Sequence, residues 1–190
     1  MSEEIVALVD RSGNVVGSAT RSVVRRDNLL HAATAVLVRN AAHQIYVHRR
    51  SSDKDWAPGF HDSAAGGVMQ YGESPAGSAA RELAEELGVT GTPLSPLLSS
   101  LYEDDTTRCF EHVYETSWDG PVVHCDNEVV WGTWMTLPEL GGLLRDPEWL
   151  FVPDTRQLLT RLARDGIGDY RELVGHGDVR TTDDNRPIPG

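Results

Sequence analysis

The sequence predicts an α/β protein, a mixed sheet with helices packed on it, from three observations. Short β-rich runs such as HAATAVLVRN (His31 to Asn40) and QIYVHRR (Gln44 to Arg50) punctuate the chain. Amphipathic helical runs lie between and after them, at Pro75 to Leu87 and in TRQLLTRLARDG. Strands and helices are mixed rather than segregated, and 190 residues suffice for one sizeable domain with a complete core.

The chain opens on IVALVDRSGNVVGSAT, where β-branched residues flank Ser12-Gly13-Asn14; this strand, turn, strand signal predicts an N-terminal β-hairpin. After a polar segment, the runs 31–40 and 44–50 are expected to form a central antiparallel pair. SSDKDWAPGFHDSAAGG holds Pro58 and little periodicity, and reads as a long loop ending in a short strand near Asp62 to Ala65. Such loops often hold ligands. Ser74 as N-cap, Pro75 at the first helical position and Gly88 as a stop bound a helix from about Pro75 to Leu87. RCFEHVYETSW and EVVWGTWMTL alternate as strands, LPELGGLLRD is a short helix, and TRQLLTRLARDG is an amphipathic one. From about Ile167 the chain turns polar and rich in Gly and Pro, and residues 167–190 are expected to form a loosely ordered tail.

Seventeen basic residues against 29 acidic ones give a formal charge of -12, which disfavours non-specific binding to nucleic acid or to anionic membrane surfaces. The only two cysteines, Cys109 and Cys125, lack CxxC spacing, so neither a disulfide framework nor a zinc knuckle is indicated. A reducing cytoplasm fits best. MSEEIVALVD lacks the basic region and apolar core of a signal peptide, and no apolar run approaches the roughly 20 residues that span a bilayer.

On the predicted helix, Glu82, Glu85 and Glu86 fall within an arc of about 100°. Ala76, Ala79, Ala80, Leu83 and Leu87 form a neighbouring apolar face that would anchor the helix to the sheet. One reading of the glutamates is a solvated face, with Arg81 and Glu85 as an ordinary i, i+4 pair. Against it stand the like-charge pairs Glu82 with Glu85 and Glu82 with Glu86, with no lysine on that face. Hard divalent cations with oxygen ligands would remove the conflict.

Gly67, five residues, Glu73, seven residues, then Arg81-Glu82-Leu83-Ala84-Glu85-Glu86-Leu87-Gly88-Val89 resembles a complete Nudix box. LVDRSGNVVGSATR, HAATAVLV, VHRRSSDKDWAPGFHDSAAGG and DNEVVWGTW extend the resemblance to the branch of Nudix hydrolases close to isopentenyl-diphosphate isomerase. The resemblance implies a Nudix α/β/α sandwich over residues 1–166, with the box forming loop, helix, loop. It implies Mg2+-dependent or Mn2+-dependent hydrolysis of a nucleoside diphosphate linked to another group. Glu82, Glu85 and Glu86 are then the metal ligands, with the Gly66 carbonyl as a further one. Glu73 and Arg81 hold the box by a salt bridge, with Gly67 and Gly88 also structural. The base differs among members, and Glu82 takes that role here. Homodimers are common for this fold.

Outside the box, the family often draws another acidic ligand or base from the position of Glu128; a solvated loop glutamate is the competing reading. Arg50 and Lys54 match basic positions that hold the diphosphate in the isomerases, with a surface ion pair to Asp53 or Asp55 as the alternative. Trp56 and Phe60 suit either stacking on a substrate or packing of the loop. His31 matches a metal-binding histidine of the isomerases, yet Val24 stands where a second would be, so a structural histidine is favoured. Ala65 occupies the position of the isomerase catalytic cysteine, which argues for hydrolysis over isomerisation. A non-catalytic module that senses a nucleotide is the third alternative.

Overall fold

The computed structural model describes residues 3–125 and 127–175. An N-terminal hairpin, β1 (Ile5–Val9) and β2 (Val15–Thr20), leads through a short helix α1 (Arg21–Arg26) into β3 (His31–Arg39) and β4 (Ile45–Arg50). Two short strands, β5 (His61–Asp62) and β6 (Ala64–Val68), precede helix α2 (Pro75–Leu87). Strands β7 (Ser95–Glu103), β8 (Arg108–Ser117) and β9 (Val129–Met135) follow, then α3 (Leu137–Leu144), α4 (Pro153–Arg164) and a 3-10 turn at Tyr170–Val174.

All nine residues of β3 are buried, because helices cover both faces of the sheet. The alternation of a strand sorts them: Ala35 and Leu37 join Ile45, Val47 and the α4 residues Leu158, Leu159 and Leu162 in one cluster. Val36 and Val38 join Ala79, Leu83 and Leu87 of α2 in the other. This is the α/β/α sandwich expected from the sequence.

The expected central antiparallel pair differs. β3 and β4 share one register pair, Arg39 with Ile45, and diverge from there. β3 pairs instead with β6, antiparallel, and with β8, parallel over nine positions. β4 takes β5 and β9 as its antiparallel neighbours. The loop strand near Asp62 is thus two strands that separate at Ser63, one for each side of the split, and a cleft opens between them.

The segment expected to be a tail packs on the core as far as Gly175. Tyr170 is buried, its hydroxyl donating to Glu115 at 2.6 Å, and Asp169 accepts from Arg39 at 2.8 and 2.9 Å. Two sparse apolar residues, Tyr170 and Leu173, suffice because α3 and α4 leave a groove that they fill. Residues 176–190 lie outside the described residues. Two elements were not expected: α1, whose apolar content is only Val23 and Val24, and β7, an outer strand where Pro96 is tolerated.

Candidate active site

Helix α2 begins and ends where local chemistry dictates. Ser74 Oγ accepts the Gly77 N–H at 3.2 Å, and Gly88 closes the helix at φ 65°, a left-handed conformation open to glycine. Two parallel i, i+4 rows form its buried face: Ala79, Leu83 and Leu87 press on the sheet, and beside them run Ser78, Glu82 and Glu86. Ala76 and Ala80, expected on the anchoring face, are exposed. The buried stripe is rotated toward the glutamates, so that one apolar row and one polar row face inward.

The solvated-face reading therefore fails for two of the three carboxylates. Glu86 is 1% exposed and Glu82 8%, whereas the Glu85 side chain retains 51%. The repulsion between them is balanced by cations. Arg81 Nη1 lies 2.6 Å from Glu82 and 3.1 Å from Glu85, and its Nε and Nη2 donate to Glu73 at 2.9 and 3.1 Å. This two-pronged contact pulls Glu73 below the usual carboxylate range. No lysine lies on the helix face, but Lys54 reaches it from the 51–60 loop, with Nζ 3.1 Å from Glu86 Oε1 and in contact with Glu128.

The second Glu86 oxygen accepts the Gly66 N–H at 3.2 Å. Burial pushes Glu86 up to about 7, against the pull of Lys54 and Arg50, and raises Glu82 against Arg81. At Gly67 a Cβ would fall 2.8 Å from a Glu82 oxygen, so glycine lets the helix carboxylate lie directly against the strand and a larger residue would displace it. Buried carboxylates packed closely against a glycine strand fit a hard cation with oxygen ligands. Glu82, Glu85, Glu86 and the Gly66 carbonyl are the groups that would hold it.

Arg50 is nine-tenths buried, 3.9 Å from Asp62, donates to the Trp56 carbonyl at 3.1 Å and lies over the Trp56 ring at 6.0 Å. Trp56 is itself anchored, its indole N–H donating to Thr106 at 3.0 Å. Among the described residues neither Arg50 nor Lys54 forms an ion pair with Asp53 or Asp55; Arg50 faces Asp62, Lys54 faces Glu86 and Glu128, and Asp55 goes to Arg21 and Arg25. Phe60 contributes its carbonyl to the Arg50 N–H at 2.9 Å. His31 is buried, bonded through Nδ1 to the Leu29 carbonyl at 2.9 Å, and burial holds it down at about 4, as suits a structural, neutral imidazole.

Glu82, Glu85, Arg50, Lys54, Glu128 and Gly66 line one cleft in the gap between β3 and β4. Its opposite wall was not foreseen. Asp62, Glu111 and Asp154 are buried carboxyls from β5, β8 and α4, and Cys109, Glu111 and Asp154 bring one ligand atom each within 4.8 Å of one another. Burial raises all three acids, Asp154 to about 7, and mutual repulsion adds to it for Glu111 and Asp154. A signal for Glu111 was present: it shares the face of Cys109 and Val113, where alternation calls for an apolar residue.

The cleft sets the carboxylates of one helix against Arg50 at the end of β4 and Lys54 on the facing loop, an arrangement that suits metal-assisted phosphoryl chemistry. The chain belongs to the Nudix hydrolase family: the NUDIX domain model matches residues 29–162. That family match makes the protein a pyrophosphohydrolase. It is 44% identical over 168 residues to the Nudix hydrolase orf19 of Rhodococcus erythropolis, covering 83% of this chain and 91% of that one. Against the Nudix hydrolase YfcD of Escherichia coli K12 the identity is 33% over 158 residues, covering 83% and 86%. Among solved structures, DR0079 from Deinococcus radiodurans superimposes with a TM-score of 0.72 at 27% identity, covering 83% of this chain and 98% of that one. Members of the family act on small-molecule diphosphates and need a divalent metal. Among the described residues no helix is long and apolar enough to cross a membrane.

Proposed function

We propose that this chain hydrolyses a diphosphate linkage within a nucleoside diphosphate derivative, using Mg2+, with Mn2+ as a substitute. The observation that carries this reading is the convergence of the α2 carboxylates with Arg50 and Lys54 in one cleft. When bound, a divalent cation neutralises phosphate oxygens and makes the attacking water more acidic. Glu82, Glu85, Glu86 and the Gly66 carbonyl are assigned to it, and the rigid attachment of α2 to the sheet sets their spacing. Arg50 and Lys54 orient the diphosphate, Lys54 exchanging its carboxylate partners for phosphate oxygens. Glu82 accepts the proton of the attacking water, its affinity for that proton being raised by burial. Glu128 assists from the loop. Glu73, Arg81, Gly67 and Gly88 hold the frame.

Within the family the sequence resembles the isopentenyl-diphosphate isomerase branch, but hydrolysis is favoured. Ala65 is 1% exposed and packs with Leu83 and Val36, so the isomerase nucleophile position offers no reactive group. Conversion of isopentenyl to dimethylallyl diphosphate by the pure protein would reverse this choice. A nucleotide-sensing module is disfavoured because every acidic position of the box is retained. The test is a Mg2+-dependent phosphate-release screen over nucleoside di- and triphosphates, nucleotide sugars, dinucleotides and prenyl diphosphates, with Glu86→Gln protein as background. Wild-type rates in that variant would remove Glu86 from the mechanism.

A further inference from the structure

Arg21 and Arg25 stand four residues apart on α1, which turns both side chains to one side, and both line the mouth of the cleft. Their guanidinium groups meet on a single atom: the two Nε atoms lie 3.2 and 3.3 Å from Asp55 Oδ2. Arg21 also reaches Glu4 at 3.0 Å, and Arg25 donates to Thr107 at 3.1 Å, so both forks are pre-oriented. Asp55 is the residue after Lys54, whose ammonium group sits at the box carboxylates. The site at the mouth therefore adjoins the diphosphate site along the same stretch of chain.

Two guanidinium forks on one oxygen is an arrangement suited to phosphate, which offers three acceptor oxygens and up to two charges where Asp55 offers two oxygens and one charge. The pairs that hold Asp55 are open to water, with side-chain exposures of 36%, 24% and 42% for Arg21, Arg25 and Asp55, and such pairs are weak. A phosphate arriving there is the stronger competitor.

We propose that Arg21 and Arg25 form a second anion subsite next to the diphosphate subsite, and that Asp55 fills it in the free protein in place of a substrate phosphate. Substrates with three consecutive phosphates are then preferred over those with two. The inference deepens the reading of the cleft as a diphosphate site and rests on it.

The experiment is calorimetric binding, in Mg2+, of imidodiphosphate and diimidotriphosphate, whose bridging nitrogens resist hydrolysis. Wild-type protein is expected to favour the three-phosphate analogue by about tenfold, as one added charge-assisted contact provides. Asp55→Asn, which removes the competing charge, widens the preference by a further few-fold. Arg25→Ala erases it, and Arg25→Lys restores part of it. Circular dichroism checks that each variant is folded, and the gain expected for Asp55→Asn cannot come from misfolding. Equal affinities for both analogues in the wild type, an unchanged or smaller preference in Asp55→Asn, or a loss shared equally by both analogues in Arg25→Ala overturns the proposal. If the analogue pattern appears and no diphosphate is turned over, the hydrolytic reading falls and the subsite stands. Turnover with an Asp55→Asn preference equal to the wild type has the opposite meaning.

Discussion

Lys54 Nζ lies 3.1 Å from Glu86 Oε1, joining the loop before the box to the helix that carries it. Both side chains are nearly sealed from water, at 10% and 2% exposure, so the pair replaces solvation that Glu86 has given up. Removing the lysine leaves a buried carboxylate without its direct cationic partner, with only the more distant pull of Arg50 remaining. Lys54→Met is expected to destabilise the metal-free protein by roughly 1 to 3 kcal/mol at pH 8, less than a fully uncompensated charge because Glu86 can take a proton instead. The loss should shrink at pH 5.5, where Glu86 is protonated in either protein. Urea unfolding at the two pH values measures it; an equal loss at both would show that the lysine stem, not its charge, stabilises the fold.

Arg81 acts through geometry as well as charge, since it serves Glu73, Glu82 and Glu85 together. Arg81→Lys preserves the charge and abandons the fork. We expect a stability cost of about 1 kcal/mol and a larger proportional fall in kcat than in 1/KM, because Glu82 loses its orientation. A variant with wild-type kcat would show that Glu82 is placed by packing alone.

Gly67→Ala tests the approach of strand to helix. Its Cβ would stand 2.8 Å from the Glu82 carboxylate, which must then move. The expected result is a folded protein whose kcat falls by about tenfold to a hundredfold, since displacement of a catalytic group by about 1 Å has effects of that order. Unchanged kinetics would remove Glu82 from the catalytic set.

The far wall of the cleft sets a pH dependence of stability. Asp154 is raised from 3.8 to about 7 in the folded protein, so between these values the folded state holds a proton that the unfolded chain has released. Its contribution is fully present below pH 3.8 and is lost as pH rises through about 7. Asp154→Asn keeps the shape and cannot ionise. It should therefore gain roughly a few kcal/mol over the wild type at pH 8 and little at pH 4. Denaturant midpoints at both pH values decide it, and a variant less stable at pH 8 would show that the ionised form has a partner.

The sequence by itself determined what depends on near neighbours in the chain. The ends of α2 were legible because Ser74, Pro75 and Gly88 act on their own backbone, and the approximation of Glu82, Glu85 and Glu86 followed from helical periodicity. The box spacing identified the family for the same reason, as one loop and one helix read in order. Tertiary structure alone decided which cations balance those carboxylates. Lys54 and Glu86 are 32 residues apart, and Arg21 and Asp55 are 34 apart. It also decided that β3 and β4 part after a single register pair, because β6 and β8 compete for the edges of β3 and strand partners are chosen by the whole sheet. That parting creates the cleft. The buried acids Asp62, Glu111 and Asp154 come from three elements with no local pattern in common, and only their convergence in the folded chain gives their protons an unusual affinity.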